Sequence, residues 1–234
     1  MSTPVKILSL AVTLAIAGCN RSPPPAAEST APPVSAVTET APTVEAAAPS
    51  ATAIPAPQLQ AAMRALWHGH IVATRDYAVA VHAHKDADQK HAADAVVANA
   101  RQISDAVAGF YGKAGGDRML ELLSGHWSGV QALTDARGRR DDVGADKAMN
   151  DLTTNAGDIA KFLAGANPNL PEDTVRGLML AHVAHHGQQI QQIMAGDIQG
   201  EATTWTAMQQ HMDTVADALA GAIAKQFPGG AKAG

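Results

Sequence analysis

Along residues 58–227 the apolar side chains return every third or fourth position, the period of a helix that buries one face. Met63, Leu66, Trp67, His70, Ala73, Thr74 and Tyr77 share such a face, and Met119, Leu122, Leu123, His126, Val130 and Leu133 share another. Val96, Asn99, Ile103, Ala106 and Phe110 mark a third. In each stripe a histidine or an asparagine stands among apolar neighbours. The whole chain holds only three Trp, two Tyr and three Phe, while Ala, Leu, Val and Met are plentiful, which favours closely packed helices over a sheet. The expected fold class is all-α.

The pattern also repeats. His70, His126 and His182 follow one another at steps of 56 residues, and the same step carries Leu66 onto Leu122 and Leu178, Ala108 onto Ala164 and Ala220, and Gly109 onto Gly165 and Gly221. It takes Asn99 to Asn155 and then to His211. The breakers keep this register. Lys85-Asp86, Asp141-Asp142 and Asp197-Ile198 fall in three polar hinges, Gly112 to Gly116 superposes on Pro168 to Glu172, and Pro228-Gly229-Gly230 closes the third unit. The reading is six helices arranged as three tandem αα-hairpin repeats, 58–113, 114–169 and 170–225, in a domain spanning 58–228 with 229–234 as a tail. Periodicity leaves two arrangements open, a closed helical bundle and a short solenoid.

Ahead of the helices the composition is different. Lys6 precedes an apolar run from Ile7 to Ala17 that is too short for a transmembrane helix and reads as a signal peptide over residues 1–18. Ile16-Ala17-Gly18-Cys19 has the small residues and the cysteine of a bacterial lipobox, so Cys19 is the expected site of acylation, including palmitate. Asn20 is not the aspartate that retains lipoproteins at the inner membrane, which points to the periplasmic face of the outer membrane. From there to Pro57 a segment of Pro, Ala, Ser, Thr and Val reads as a tether, able to reach roughly 100 Å at about 3.1 Å per residue. The membrane, reached through lipid on Cys19, is thus an expected partner.

Cys19 is the only cysteine, which removes disulfides, a thiolate nucleophile and any CxxC pair from the helical part. A formal charge of -5 leaves no basic face for phosphate contacts, so nucleic acid is not an expected partner. No GxSxG elbow, P-loop or dinucleotide fingerprint occurs, and neither a nucleophile nor a general base can be named. Enzymatic activity is accordingly not indicated.

Leu66-Trp67-x-x-His70 with Thr74-Arg75, Phe110-Tyr111-Gly112, Asn155 with Asp158-Ile159, Asn167-Pro168 and Gln226-Phe227-Pro228 together resemble a group of uncharacterised exported bacterial helical proteins. The resemblance covers the helical domain. It implies an all-α fold and no particular activity.

Ten histidines invite a metal reading. A closed arrangement of three similar hairpins would bring His70, His126 and His182 to one axis, a ligand set that Zn, Cu, Fe or Ni accept. His186 stands four residues beyond His182 on the same helix face, and His211 occupies an asparagine position of the repeat, so both join the candidate ligands. Asn99, Gln102, Asn155 and Asp158 are the expected partners that orient the imidazoles. In a solenoid the same histidines would form a ladder roughly 10 Å apart and only organise the core. His182-Val183-Ala184-His185-His186 lacks the glutamate of a metalloprotease helix, and Glu121, Glu172 and Glu201 are too few for a di-iron carboxylate site. Methionines at 63, 119, 179, 194, 208 and 212 read as core filler rather than haem ligands. His82, His84 and His91 read as solvated hinge residues.

The functional expectation is a lipid-anchored periplasmic protein whose histidine-containing bundle binds or handles copper or zinc. The alternative is a non-enzymatic structural lipoprotein that binds an envelope protein partner.

Overall fold

The computed structural model describes residues 56–230, and every regular element in them is helical. The signal peptide, Cys19, nearly all of the tether and residues 231–234 of the tail lie outside the described residues. Among the described residues there are five helices: α1 (Ala56–His82), α2 (Asp86–Gly138), α3 (Asp142–Ala166), α4 (Glu172–Ala195) and α5 (Ile198–Gln226). The last two residues assigned to the tether, Ala56 and Pro57, open α1 instead, since a proline in the first turn has no amide to lose. No described helix is long and apolar enough to cross a membrane.

The three polar hinges expected from the sequence separate α1 from α2, α2 from α3 and α4 from α5. Asp141 and Asp197 cap α3 and α5, each accepting a backbone N–H at 2.9 Å, from Gly144 and Gly200 respectively. A Cβ at either glycine would collide with the capping carboxylate, so the aspartate and the glycine three residues on act as one unit. The hinge before α2 has Lys85 at this position without a side-chain cap, and Asp86 and Asp88 in the first turn complement the helix dipole.

The expected stop between Gly112 and Gly116 takes another form, and it reduces the six expected helices to five. Only Gly112 leaves helical geometry, at φ 76° and ψ 172°, with helical residues on both sides inside α2. A reversal that glycine makes in one residue needs no loop. Ser104 donates to the carbonyl of Gly116 at 2.7 Å, whereas twelve residues of straight helix would separate them by about 18 Å. The arm of α2 after Gly112 therefore folds back along the arm before it. Gly116 permits this approach, since a Cβ there would stand 2.7 Å from that of Ala108.

Successive helices pack side by side, and α5 returns to pack on α1, so the arrangement is a closed bundle rather than a solenoid. Helix α4 also touches α1 and α2 across the interior. The buried set is continuous through all five helices and includes Ile71, Val130, Leu152, Met208, Met212 and Val215, each withdrawn from solvent. Met63, Met119 and Met179 are buried in it too, as filler methionines should be.

The α1–α5 seam that closes the ring is charged. Arg64 forks onto Asp217 at 2.8 and 2.6 Å, His68 meets Asp213 at 2.9 Å, and Arg75 forks onto Glu201 at 2.7 and 2.9 Å. At the end of the bundle where α2 bends, Tyr111 donates to Gln226 at 3.0 Å and accepts from Asn167 at 3.0 Å, while Gln226 donates to the carbonyl of Ala166. Phe227 packs edge-on against Tyr111. Tyr111, Asn167, Gln226 and Phe227, each adjacent to an expected stop, thus form a polar and aromatic clasp over that end.

Candidate metal centre

His70 projects from α1, His126 from α2 after its bend, and His182 and His186 from α4. The helix periods that bury Trp67, Leu123 and Met179 one turn earlier aim all four rings inward. Ring centroids of His70, His126 and His182 stand 5.7, 5.7 and 5.4 Å apart, and His186 lies 4.4 Å from His182. One ring nitrogen from each of the four lies within 4.8 Å of the others. A tetrahedral ion with bonds near 2.0–2.1 Å sets its donors roughly 3.4 Å apart, so small side-chain rotations convert this cluster into a coordination shell.

The environment keeps the rings neutral. Each is almost wholly buried. Desolvation pushes His70 down to about 3, with His126 adding repulsion, and pushes His126 down to about 4 against a weaker opposing contribution from the Asn155 side chain. Burial drives His182 and His186 well below the ordinary histidine value, and neighbouring imidazoles push both further in that direction. Neutral imidazole is the ligating form. The nitrogens are also short of partners. His182 and His186 face each other Nε2 to Nε2 at 3.0 Å, but both nitrogens of His70, both of His126 and Nδ1 of His182 have no hydrogen bond.

The fourth ring has a particular origin. Fifty-six residues before His186 stands Val130, and 112 before it Thr74, whose hydroxyl donates to the carbonyls of His70 and Ile71 in its own helix. Only the segment around α4 places a donor at this level, which turns three rings into four.

The other predicted residues divide. Asn99 donates to the carbonyl of Leu66 at 2.9 Å, Asn155 to that of Leu122 at 3.0 Å, and His211 to that of Leu178 at 2.9 Å. His211 is therefore corrected from ligand to helix-to-helix tie, its Nε2 being occupied by a carbonyl. Space explains the exchange of residue type: Gly69 and Gly125 have their Cβ positions 3.0 and 3.1 Å from the two asparagine amides, while Ala181 fills the corresponding place opposite the longer histidine. Oδ1 of Asn99 and of Asn155 is buried and without a partner, and the hydrogen bonds these two side chains do make run to helix carbonyls, not to the imidazoles. Gln102 and Asp158 are corrected too, because both are exposed on outer helix faces, away from the buried rings. His82, His84 and His91 are exposed, as solvated hinge residues should be.

A neighbouring buried network went unread in the sequence. Gln189, one turn beyond His186, donates to Glu201 at 2.8 Å, and Glu201 is the carboxylate held by Arg75. The Arg75 guanidinium holds the Glu201 carboxyl below its usual value, and Arg75 in turn lies 5.1 Å over the Trp205 ring. The available signal was that Gln189 shares the apolar face of His182 and His186. Comparison with protein-family models, with curated proteins and with solved structures finds no match.

Proposed function

We propose that this domain binds one copper or zinc ion through His70, His126, His182 and His186, as part of an exported lipoprotein held at the periplasmic face of the outer membrane by acylated Cys19. The observation that carries the metal reading is four buried imidazoles that bring one nitrogen each together, with five of their eight ring nitrogens lacking any partner. Each orphaned buried polar atom costs about 1–3 kcal/mol, a penalty that an apolar replacement would remove and that an ion would convert into bonding. Four protein donors close a tetrahedral shell, so the role is to hold or hand over the ion rather than to activate water on it. The site is read as the product of three αα-hairpins of one kind, each supplying a histidine, with His186 added in the third. The lipobox residues Ile16 to Cys19 support the anchoring.

The test is metal analysis and competitive titration of the full chain purified without an affinity histidine tag. One ion per chain is expected, with uptake lost in the combined His70→Ala, His126→Ala and His182→Ala variant. His186→Val copies the residue found at position 130 and should keep the fold while weakening affinity tenfold or more. Less than stoichiometric metal that stays unchanged in the triple variant refutes the reading. The mass of the mature N-terminus, expected to carry acyl chains on Cys19, tests the anchoring separately.

A second reading draws on the ties to the Leu66, Leu122 and Leu178 carbonyls, which show polar side chains organising the core. Under it the chain is a structural lipoprotein that binds an envelope protein partner. It requires that neither copper nor zinc alter the stability of the purified chain.

A further inference from the structure

The six separations among the ring centroids of His70, His126, His182 and His186 run only from 4.4 to 6.0 Å. In a planar set two of the six, the diagonals, would stand well above the other four. No two stand apart in that way, since His70–His186 at 6.0 Å is followed at once by 5.7, 5.7 and 5.6 Å. The rings therefore occupy the corners of a tetrahedron. That shape suits an ion with a filled d shell, not the square or tetragonal surroundings that Cu(II) and Ni(II) prefer.

The set also carries no negative charge. Its donors are four neutral imidazoles, and among the described residues Glu201 is the one buried carboxylate. Both Glu201 oxygens are occupied, Oε1 by Arg75 and Gln189 and Oε2 by Arg75, so its charge is already balanced. An ion seated among the rings would keep its full charge in a core of low dielectric. That cost rises with the square of the charge, about fourfold from a monovalent to a divalent ion.

We infer that the ion this centre selects is monovalent copper, Cu(I), over zinc and over Cu(II). The inference, which rests on the metal reading above, follows from shape and charge together. Imidazole nitrogen accepts copper and zinc alike, so donor softness does not separate them. Shape removes Cu(II), and charge separates Cu(I) from zinc, whose filled d shell tolerates the same tetrahedron.

The experiment titrates the metal-free full chain with Cu(I), kept reduced by ascorbate and competed against bicinchoninate, and with zinc against a chromophoric chelator. Cu(I) should bind at least about a hundredfold more tightly than zinc and displace it one for one. Silver(I), monovalent and inert to oxidation, should displace zinc as well. His186→Glu exchanges a neutral donor for an anionic one and should move the ratio of the two affinities toward zinc by about a hundredfold. One equivalent of ferricyanide, which takes one electron from each copper, should make the unaltered protein release the metal to glycine as Cu(II), a readout that needs no variant. Zinc bound as tightly as Cu(I) overturns this inference and leaves the metal reading standing. So does an unmoved ratio in folded His186→Glu protein, or a four-nitrogen Cu(II) signal that persists by paramagnetic resonance after oxidation. A chain that binds neither copper nor zinc overturns both.

Discussion

His84, Arg140 and Gly196 occupy the same place in the three hinges, 56 residues apart, and all three have left-handed backbone, with φ of 54°, 58° and 70°. Each ends a helix, where glycine is preferred because a Cβ in this region presses on the following carbonyl. Gly196 meets that preference; His84 and Arg140 do not, and both are exposed with no hydrogen bond from their side chains to compensate. Replacing either with glycine should therefore stabilise the protein by about 0.5–1 kcal/mol, after the entropy glycine adds to the unfolded chain is set against the relieved strain. Urea denaturation would check it, and a loss of stability in both variants would contradict the account. The same comparison of equivalent positions explains the histidine cluster at this scale. His70, His126 and His182 stand 56 residues apart in the sequence, whereas Val130 and Thr74 stand 56 and 112 residues before His186, and it is His186 that completes four donors.

At the scale of elements, α2 shows how one residue redirects a helix. Its apolar stripe runs through both arms, and the turn between them is made at Gly112 alone. Nothing lies within 4 Å of where a Cβ would be, so Gly112→Ala should suffer from backbone strain and not from collision. The expected loss is about 1–3 kcal/mol, the cost for an L residue of positive φ with extended ψ, a region essentially confined to glycine, measurable by chemical denaturation with little change in helix content. The break between α3 and α4 is built differently. Asn167 lies fully buried, accepts at its Oδ1 from the backbone N–H of Asn169, and sends its amide to Tyr111, so a loop there is held by side-chain hydrogen bonds. Both positions read as equivalent stops in the sequence. They differ because glycine can reverse the chain by dihedral angle, while Asn167-Pro168 needs several residues and a polar partner.

For the whole molecule the buried cluster governs acid stability. The four folded-state values lie below the unfolded histidine value of about 6.5, so the unfolded chain binds protons that the folded chain refuses. Stability contributed by keeping these rings neutral is thus complete above pH 6.5 and is lost as pH falls below it, at up to about 1.4 kcal/mol per pH unit for each ring. The Glu201 carboxyl has the depressed value of a paired acid, so its contribution is present above about 4.3 and fades at lower pH, after the histidines have begun to act. The metal-free protein should lose its fold cooperatively between roughly pH 6 and 4, followed by circular dichroism. Zinc or copper at about a hundredfold its dissociation constant should add about 2.7 kcal/mol near neutral pH and delay the transition. A metal-free protein equally stable at pH 7 and pH 4 would show that the rings are not buried neutral.

Helix class, the three hinges and the inward direction of the repeated histidines were legible in residue order alone, because each follows from local chemistry: a period of 3.6, capping aspartates, and a step of 56 that keeps like residues at like depth. Closure was not legible. Whether α5 returns to α1 depends on small crossing angles accumulated over five helices and on ion pairs such as Arg75 with Glu201, 126 residues apart. Closure in turn decides that His70, His126 and His182 face one another instead of lying in a ladder, and it separates His186, which joins them, from His211, which turns to the Leu178 carbonyl. Periodicity assigns a residue to a face, and only the packed structure says which other faces it meets.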